Sequence, residues 1–288
     1  SRTSTADHEL YDSVRGATHR LLSSLTNSES TQTGGLTAFN SNGFTLGGHG
    51  GSSASSTDYV AWAWKAGGTA SSNTDGTLTS QVSASTDYGF SIVSYTSDSS
   101  AVKTVGHGLG SQPRMIFFKD RDAATNWFVH HNDGSTGRMF EGLNTSSAGG
   151  TNLVALNDTL PTSSVFTVNS GGYTINPNGN NDMIAYCWSE VSGFSKISSY
   201  TGNGGALSVT GFGFKPRFLL IRATGTGSWM LFDSKRGTDV RLKAQTSDTE
   251  ASAGANLTFD SDGFSLNTSD GDFNGNGSTY IYAAFADR

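Results

Sequence analysis

Six histidines, one cysteine and a few closely spaced carboxylates are the residues of this sequence whose chemistry goes beyond packing. The histidines are His8, His19, His49, His107, His130 and His131, and no pair has the His-x-x-x-His spacing that sets two imidazoles on one helix face around zinc. His130 and His131, with Asp133 close behind, form the one dense cluster. On a strand, adjacent side chains face opposite sides, so both rings cannot reach one ion without a bulge. Cys187 lies inside the apolar run Met183–Trp188 and reads as a small core hydrophobe. Asp260 and Asp262 before Gly263, and Asp270 and Asp272 around Gly271, have the look of calcium loops. They lack the further acidic positions and closing Glu of an EF-hand, and read as turns. Asp-Ser-x-Arg-Gly occurs at Asp12–Gly16 and again at Asp233–Gly237. It joins a carboxylate and a guanidinium in one loop, as a ligand loop would. In the structural reading Asp caps the turn, Arg pairs locally and Gly takes the special backbone angle. There is no Gly-x-Ser-x-Gly elbow, no phosphate-binding loop and no carboxylate pair singled out for glycoside cleavage. The expectation is a non-enzymatic protein with no cofactor and no metal.

What positions these residues is a chain of 288 with 37 Gly, 4 Pro and 15% charged residues. Aromatics make up 11%, too many for a disordered chain, and they fall in short alternating runs. No long helical period exists, so the class is all-β, with Gly, Ser, Asn and Asp turns between short strands. No apolar run is long enough to span a membrane. The net charge is −6 and Lys/Arg are not clustered, so nucleic acid is not an expected partner. One cysteine makes no internal disulfide. The chain begins at Ser1 rather than Met, as a fragment or a processed product does.

The sequence repeats itself. Gly89-Phe90-Ser91 returns as Gly193-Phe194-Ser195, Pro113–Phe118 as Pro216–Ile221, and Trp127 as Trp229, an offset of about 103 residues. A third copy precedes them. Leu10–Gly16 matches Leu231–Gly237, Leu36–Leu46 matches Leu257–Leu266, and Tyr59–Trp64 matches both Met183–Trp188 and Tyr280–Phe285. This first copy lacks the counterpart of Gly89–Arg121. The units are 1–66 (truncated), 88–191 and 192–288, with 67–87 a Gly/Ser/Thr-rich linker or an edge strand near Leu78–Val82. About 6–7 strands per complete unit suit tandem antiparallel sandwiches, jelly-roll or lectin-like.

The strings GFSIVSYT, VGHGLGSQPRMI, PTSSVFTV, IAYCWSEVSGFSKISSYTGNG and YDSVRGAT resemble an uncharacterised repeat domain of marine phage proteins, of cyanophage and pelagiphage type, found in tail fibres and other virion appendages and grouped with concanavalin-like folds. The resemblance covers nearly the whole chain and brings no catalytic motif. It implies a structural or recognition segment of a virion appendage, located on the particle, with host surface glycan as a ligand. The alternatives are a glycan-degrading depolymerase, and a head-decoration or cellular surface adhesin protein.

Two expectations follow for sites and partners. Divergent loop positions are free to specialise, so a receptor-binding surface is placed where the second unit departs from the Asp-Ser-x-Arg-Gly pattern, at His130, His131 and Asp133. The truncated first unit has an open edge and leaves Trp62 and Trp64 without cover. Its completion is expected from upstream chain or from a neighbouring subunit, with other virion subunits and self-association, a homotrimer above all, as partners.

Overall fold

Short alternating runs separated by glycine-rich turns bury one side chain in two, which a strand does and a helix does not. In the computed structural model, which describes residues 1–98, 102–170, 175–254 and 256–287, 43% of the chain is strand and about 3% helix. The all-β expectation holds.

The second unit is built on a seven-stranded antiparallel sheet. Its order is Gly137–Glu141, Phe128–Asn132, Met115–Asp120, Asp182–Trp188, Phe90–Thr96, Ser80–Ser85 and Ser71–Asn73. The segment 67–87 therefore supplies the two strands at one edge of this sheet. The third unit carries six strands, in the order Ser195–Thr201, Thr279–Phe285, Phe218–Ala223, Met230–Asp233, Gly237–Lys243 and Ala251–Ser252. In both sheets the most continuously apolar strand, Asp182–Trp188 or Thr279–Phe285, lies between two others and is buried on both faces.

Each large sheet has an outer and an inner face. Over the outer face of the second unit lies the pair Val102–Gly106 and Val165–Asn169, enclosing Ile116, Phe118, Phe166 and Val168. Over that of the third lie Ala206–Thr210, Gly263–Asn267 and Thr258–Asp260, enclosing Leu219, Ile221, Phe264 and Leu266. The two inner faces share one central core. Phe117, Ile184 and Trp188 come from one sheet, and Leu220, Ile281 and Phe285 from the other.

The first unit adds Leu21 to that core. Its strands are Glu9–Asp12, Gly16–Leu22 and Ser30–Thr31, followed by the hairpin Leu36–Asn40 and Gly43–Leu46. Tyr59–Trp64, the counterpart of the two central strands, runs extended but belongs to no sheet. Trp62 and Trp64 do not lose their cover as the sequence reading expected. Trp62 packs edge-on to Phe218 at 5.4 Å, and Trp64 meets Trp188, Phe218 and Phe285 at 6.0, 5.3 and 5.7 Å. The other units supply what the first lacks on this side.

Trp188 sits where the units converge, with Phe90, Phe117 and Trp64 around its ring. Trp188→Ala is expected to cost ~3–5 kcal/mol, the transfer term plus the cavity, read as a fall in the midpoint of urea unfolding.

Candidate functional site

The polar chemistry of this chain gathers at the seams between units. It starts from the hairpin turn of the repeated motif. Asp12 Oδ1 accepts the N–H groups of Val14 and Arg15 at 2.9 and 2.8 Å, and Asp233 Oδ1 those of Lys235 and Arg236, both at 2.9 Å. Gly16 and Gly237 follow with φ of +103° and +123°, angles that only a residue without Cβ adopts freely. The Arg of each motif folds back onto its own Asp. The turn reading of the motif is what the geometry displays, and the carboxylate has one oxygen left to offer.

That oxygen faces the next unit in every case. Tyr186 of the second unit donates its hydroxyl to Asp12 Oδ2 at 2.7 Å. Trp62 of the first donates its indole N–H to Asp233 Oδ2 at 3.2 Å. Ser199 of the third donates its hydroxyl to Asp133 Oδ2 at 2.9 Å. Second docks on first, first on third, third on second. The three contacts are head-to-tail and close after one circuit, as a heterologous interface does when its rotation closes.

Other bonds repeat on the same circuit. Trp127 Nε1 donates to the Leu22 carbonyl, Trp229 Nε1 to the Gly142 carbonyl and His8 Nε2 to the Lys243 carbonyl, each at 2.9 Å. The Glu29, Glu250 and Gly149 amides donate to the carbonyls of Arg121, Arg2 and Thr224 at 2.8, 2.9 and 2.9 Å. Arg121 grips Glu29 with two bonds, as Arg2 grips Glu250. The counterparts Lys119 and Arg222 are buried cations that reach across a seam. The Lys119 ammonium is ringed by carbonyls of Thr26, Asp120, Ala123 and Thr125. Arg222 donates to Thr145 and Ser147 carbonyls and lies over the rings of Phe140 and Trp229 at 4.9 and 4.6 Å. Burial lowers Lys119 to about 8, against the raising effect of Asp120, and lowers Arg222 to about 10.

A single family model, described as Domain of unknown function (DUF7483), matches residues 1–288. The chain belongs to this family. No curated protein and no solved structure matches it. The match spans all three units.

Within this DUF7483 domain the residues singled out in the sequence are placed as follows. His130 and His131 are buried, and only Asp133 of the three is partly open to solvent. His131 points into the seam with the third unit, 3.4 Å from the Tyr282 carbonyl, among Met115, Leu220, Trp229 and Ala283. His130 lies on the other face of its strand, against the backbone of Arg138 and beside Gly137. The two imidazoles are not brought together, and both are closed off from solvent. Asp133 does the capping that Asp12 does, its Oδ1 accepting the N–H groups of Ser135 and Thr136, although the strand register puts His131 at the place of Asp233 and pairs Gly137 with Asn132. Both the Ser and the Arg of the motif are missing, replaced by Gly134 and Thr136. The equal spacing from Asp133 to Gly137 and from Asp12 to Gly16 is the signal that identifies it.

The remaining candidates have structural partners. Cys187 is buried and its thiol pKa is pushed up by burial. Asp262 is held below its ordinary range by the N–H groups of Gly213 and Gly211, at 2.6 and 3.0 Å. Asp270 caps Asp272 at 2.8 Å. Among the described residues no group of three or more His, Cys, Asp or Glu is placed to hold a metal ion, and no helix is long and apolar enough to cross a membrane. A depression of about 320 Å³ opens between the first and third units, lined by Thr5, Arg241, Lys243, Asp248 and Thr249. No aromatic ring lines it to stack on a sugar.

Two predictions test the seams. Asp12→Ala leaves the buried Arg15 guanidinium with Glu29 alone and the Tyr186 hydroxyl without its acceptor, and is expected to cost ~2–3 kcal/mol in chemical unfolding. The second concerns acid. Burial lowers His130 and His131 from 6.5 to about 3 and about 4, with each other's proximity assisting at His130. The unfolded chain then binds protons that the folded one refuses. Their contribution is complete above about 6.5 and is lost as pH falls toward 4. Burial raises Glu29, but bonds from Arg121 and Arg15 more than offset this and hold it at about 2, so its contribution fades only below 4.5. The melting temperature should therefore fall from pH 7 to pH 5, and His130→Leu should flatten that fall. A flat profile in the parent chain contradicts the assignment.

Proposed function

We propose that this domain is a rigid, non-enzymatic building block of a phage virion appendage, a tail fibre in the first place, carried on the extracellular particle. The observation that supports it is the use made of buried polar groups. An active site gathers perturbed ionisable groups at a cleft where substrate meets them. Here Asp12, Glu29, Lys119, Arg222 and His131 lie in seams and hold one unit against the next. A chain whose charges lock three units into a ring suits transmitting load and holding shape. The sequence resemblance to appendage repeats points the same way. Its partners in this reading are other virion subunits and further copies of itself, a trimer included. Host surface carbohydrate is the ligand where the appendage also recognises a cell.

Immunogold labelling of intact particles with antibody to the purified chain tests the reading. Label on the outer appendages is expected, and label confined to the head, or none, overturns it. Release of reducing sugar from host polysaccharide by the purified chain, above a heat-inactivated control, replaces it with a depolymerase.

A further inference from the structure

The outer face of the first unit is unfinished, and its own repeat shows what is missing. Phe39, Phe44 and Leu46 of the hairpin are 44, 42 and 38% exposed. Their counterparts Phe259, Phe264 and Leu266 are 3, 0 and 1% exposed. In the second unit Phe166 and Val168, the counterparts of Phe44 and Leu46, are likewise fully buried. The difference lies in the neighbours and not in the residues. Phe166 is covered by Phe118, and Phe264 by Tyr200, Phe212 and Tyr282. In the first unit the chain holds no counterpart of Phe90–Asp120, which supplies three of these covering strands in the second.

The backbone carries the same gap. Asp182–Trp188 is flanked by Phe90–Thr96 on one side and Met115–Asp120 on the other, and Thr279–Phe285 by Ser195–Thr201 and Phe218–Ala223. Among the described residues, Tyr59–Trp64 has a strand on neither side. Gly43–Leu46 pairs only with Leu36–Asn40, whereas Gly263–Asn267 pairs with Ala206–Thr210 as well. Extended backbone with unpaired N–H and C=O groups, beside exposed Phe and Leu, is a template for strand addition.

One ladder bond fixes the polarity and register of the addition. The Arg2 amide donates to the Asp58 carbonyl at 2.8 Å. In the second unit Arg121 donates to Asp182, and in the third Thr224 to Thr279, both at 2.9 Å and each immediately after the flanking strand ends. Arg2 therefore stands at the exit of the empty position. A strand continuous with Ser1 runs back antiparallel along Tyr59–Trp64, with its residues opposite Ala61 and Ala63 facing the hairpin. Those places are held by Phe118 and Ile116 in the second unit.

We propose that this slot is the seat of a three-stranded stretch of polypeptide of the repeat's own kind, alternately apolar and polar, entering from the N-terminal side of Ser1 and completing the first unit as Phe90–Asp120 completes the second. The source is polypeptide covalently continuous with Ser1, because the Arg2 ladder bond already sets its register.

Two experiments on the 288-residue chain test this. With the slot open, Phe44→Asp should shift the melting temperature by no more than ~2 °C, while Phe264→Asp, in the same place of a finished unit, should lower it by ~10 °C or more. Equal losses overturn the proposal. In the second, residues 89–119 are grafted ahead of Ser1 and amide exchange of Val60–Trp64 is followed by NMR. Fast exchange in the parent chain and ~100-fold slower exchange in the graft are expected. Ile116→Asp with Phe118→Asp in the grafted copy should restore fast exchange. Slow exchange in the monomeric parent overturns the proposal. So does protection that appears only as the parent dimerises, which gives the slot to a second copy.

Discussion

One carboxylate per unit, at the tip of a hairpin, holds the architecture together. Where it is removed from water, as Asp12 and Asp233 are, it must find hydrogen-bond donors or cost several kcal/mol. Its own turn supplies two amide donors to one oxygen. The second oxygen accepts the motif's own Arg in the first and third units, and in every unit a further donor from the neighbour, Tyr186, Trp62 or Ser199. Each hairpin is thus finished by docking. The central core of Phe, Trp, Leu and Ile gives the units a reason to associate, and the carboxylates dictate in which orientation they do so. Apolar burial alone is indifferent to a small rotation; a donor aimed at one carboxylate oxygen is not.

The three seams solve the same problem with different side chains. Tyr186 and Trp62, at matching places of their units, are long enough to bring a donor to the seam. Their counterpart Ala283 is not, and the third unit donates from Ser199 on the adjacent strand instead. His131 lies beside Ala283 in the space a larger side chain would take. The absence of an Arg in that turn fits the same change, since Thr136 asks for no buried counter-charge. Departure from the repeat in the second unit thus compensates for a departure in the third. Such paired change keeps a seam closed without giving it a ligand.

The sequence made the strands and the repeats legible because both are local patterns: alternation, Asp-Gly turns, and matched strings such as Pro113–Phe118 and Pro216–Ile221. Cys187 and the paired aspartates could be read as core and turns for the same reason. The seams could not be read. Leu22, Gly142 and Lys243 accept through backbone carbonyls, and a carbonyl has no signature in sequence. His8 takes the place of Trp127 and Trp229 with a chemically different ring that offers the same N–H. His130 and His131 looked like a site because a dense pair of imidazoles in a loop would be one. Their strand is buried, and Leu220, Tyr282 and Ala283, which lie over His131, come from far along the chain.

The ring also imposes an order in time. The seam between the first and third units joins Arg2 to Glu250 and His8 to Lys243, so it spans almost the entire chain. During synthesis the first and second units can meet while the third is still inside the ribosome. Until the last strand, Thr279–Phe285, emerges, Trp64 lacks Phe285 and the third sheet lacks its centre. Contacts this distant in sequence form only after a long loop has been closed, which slows folding. In the interval the growing chain exposes aromatic surface that the finished ring encloses, and is at its most prone to aggregate just before it is complete.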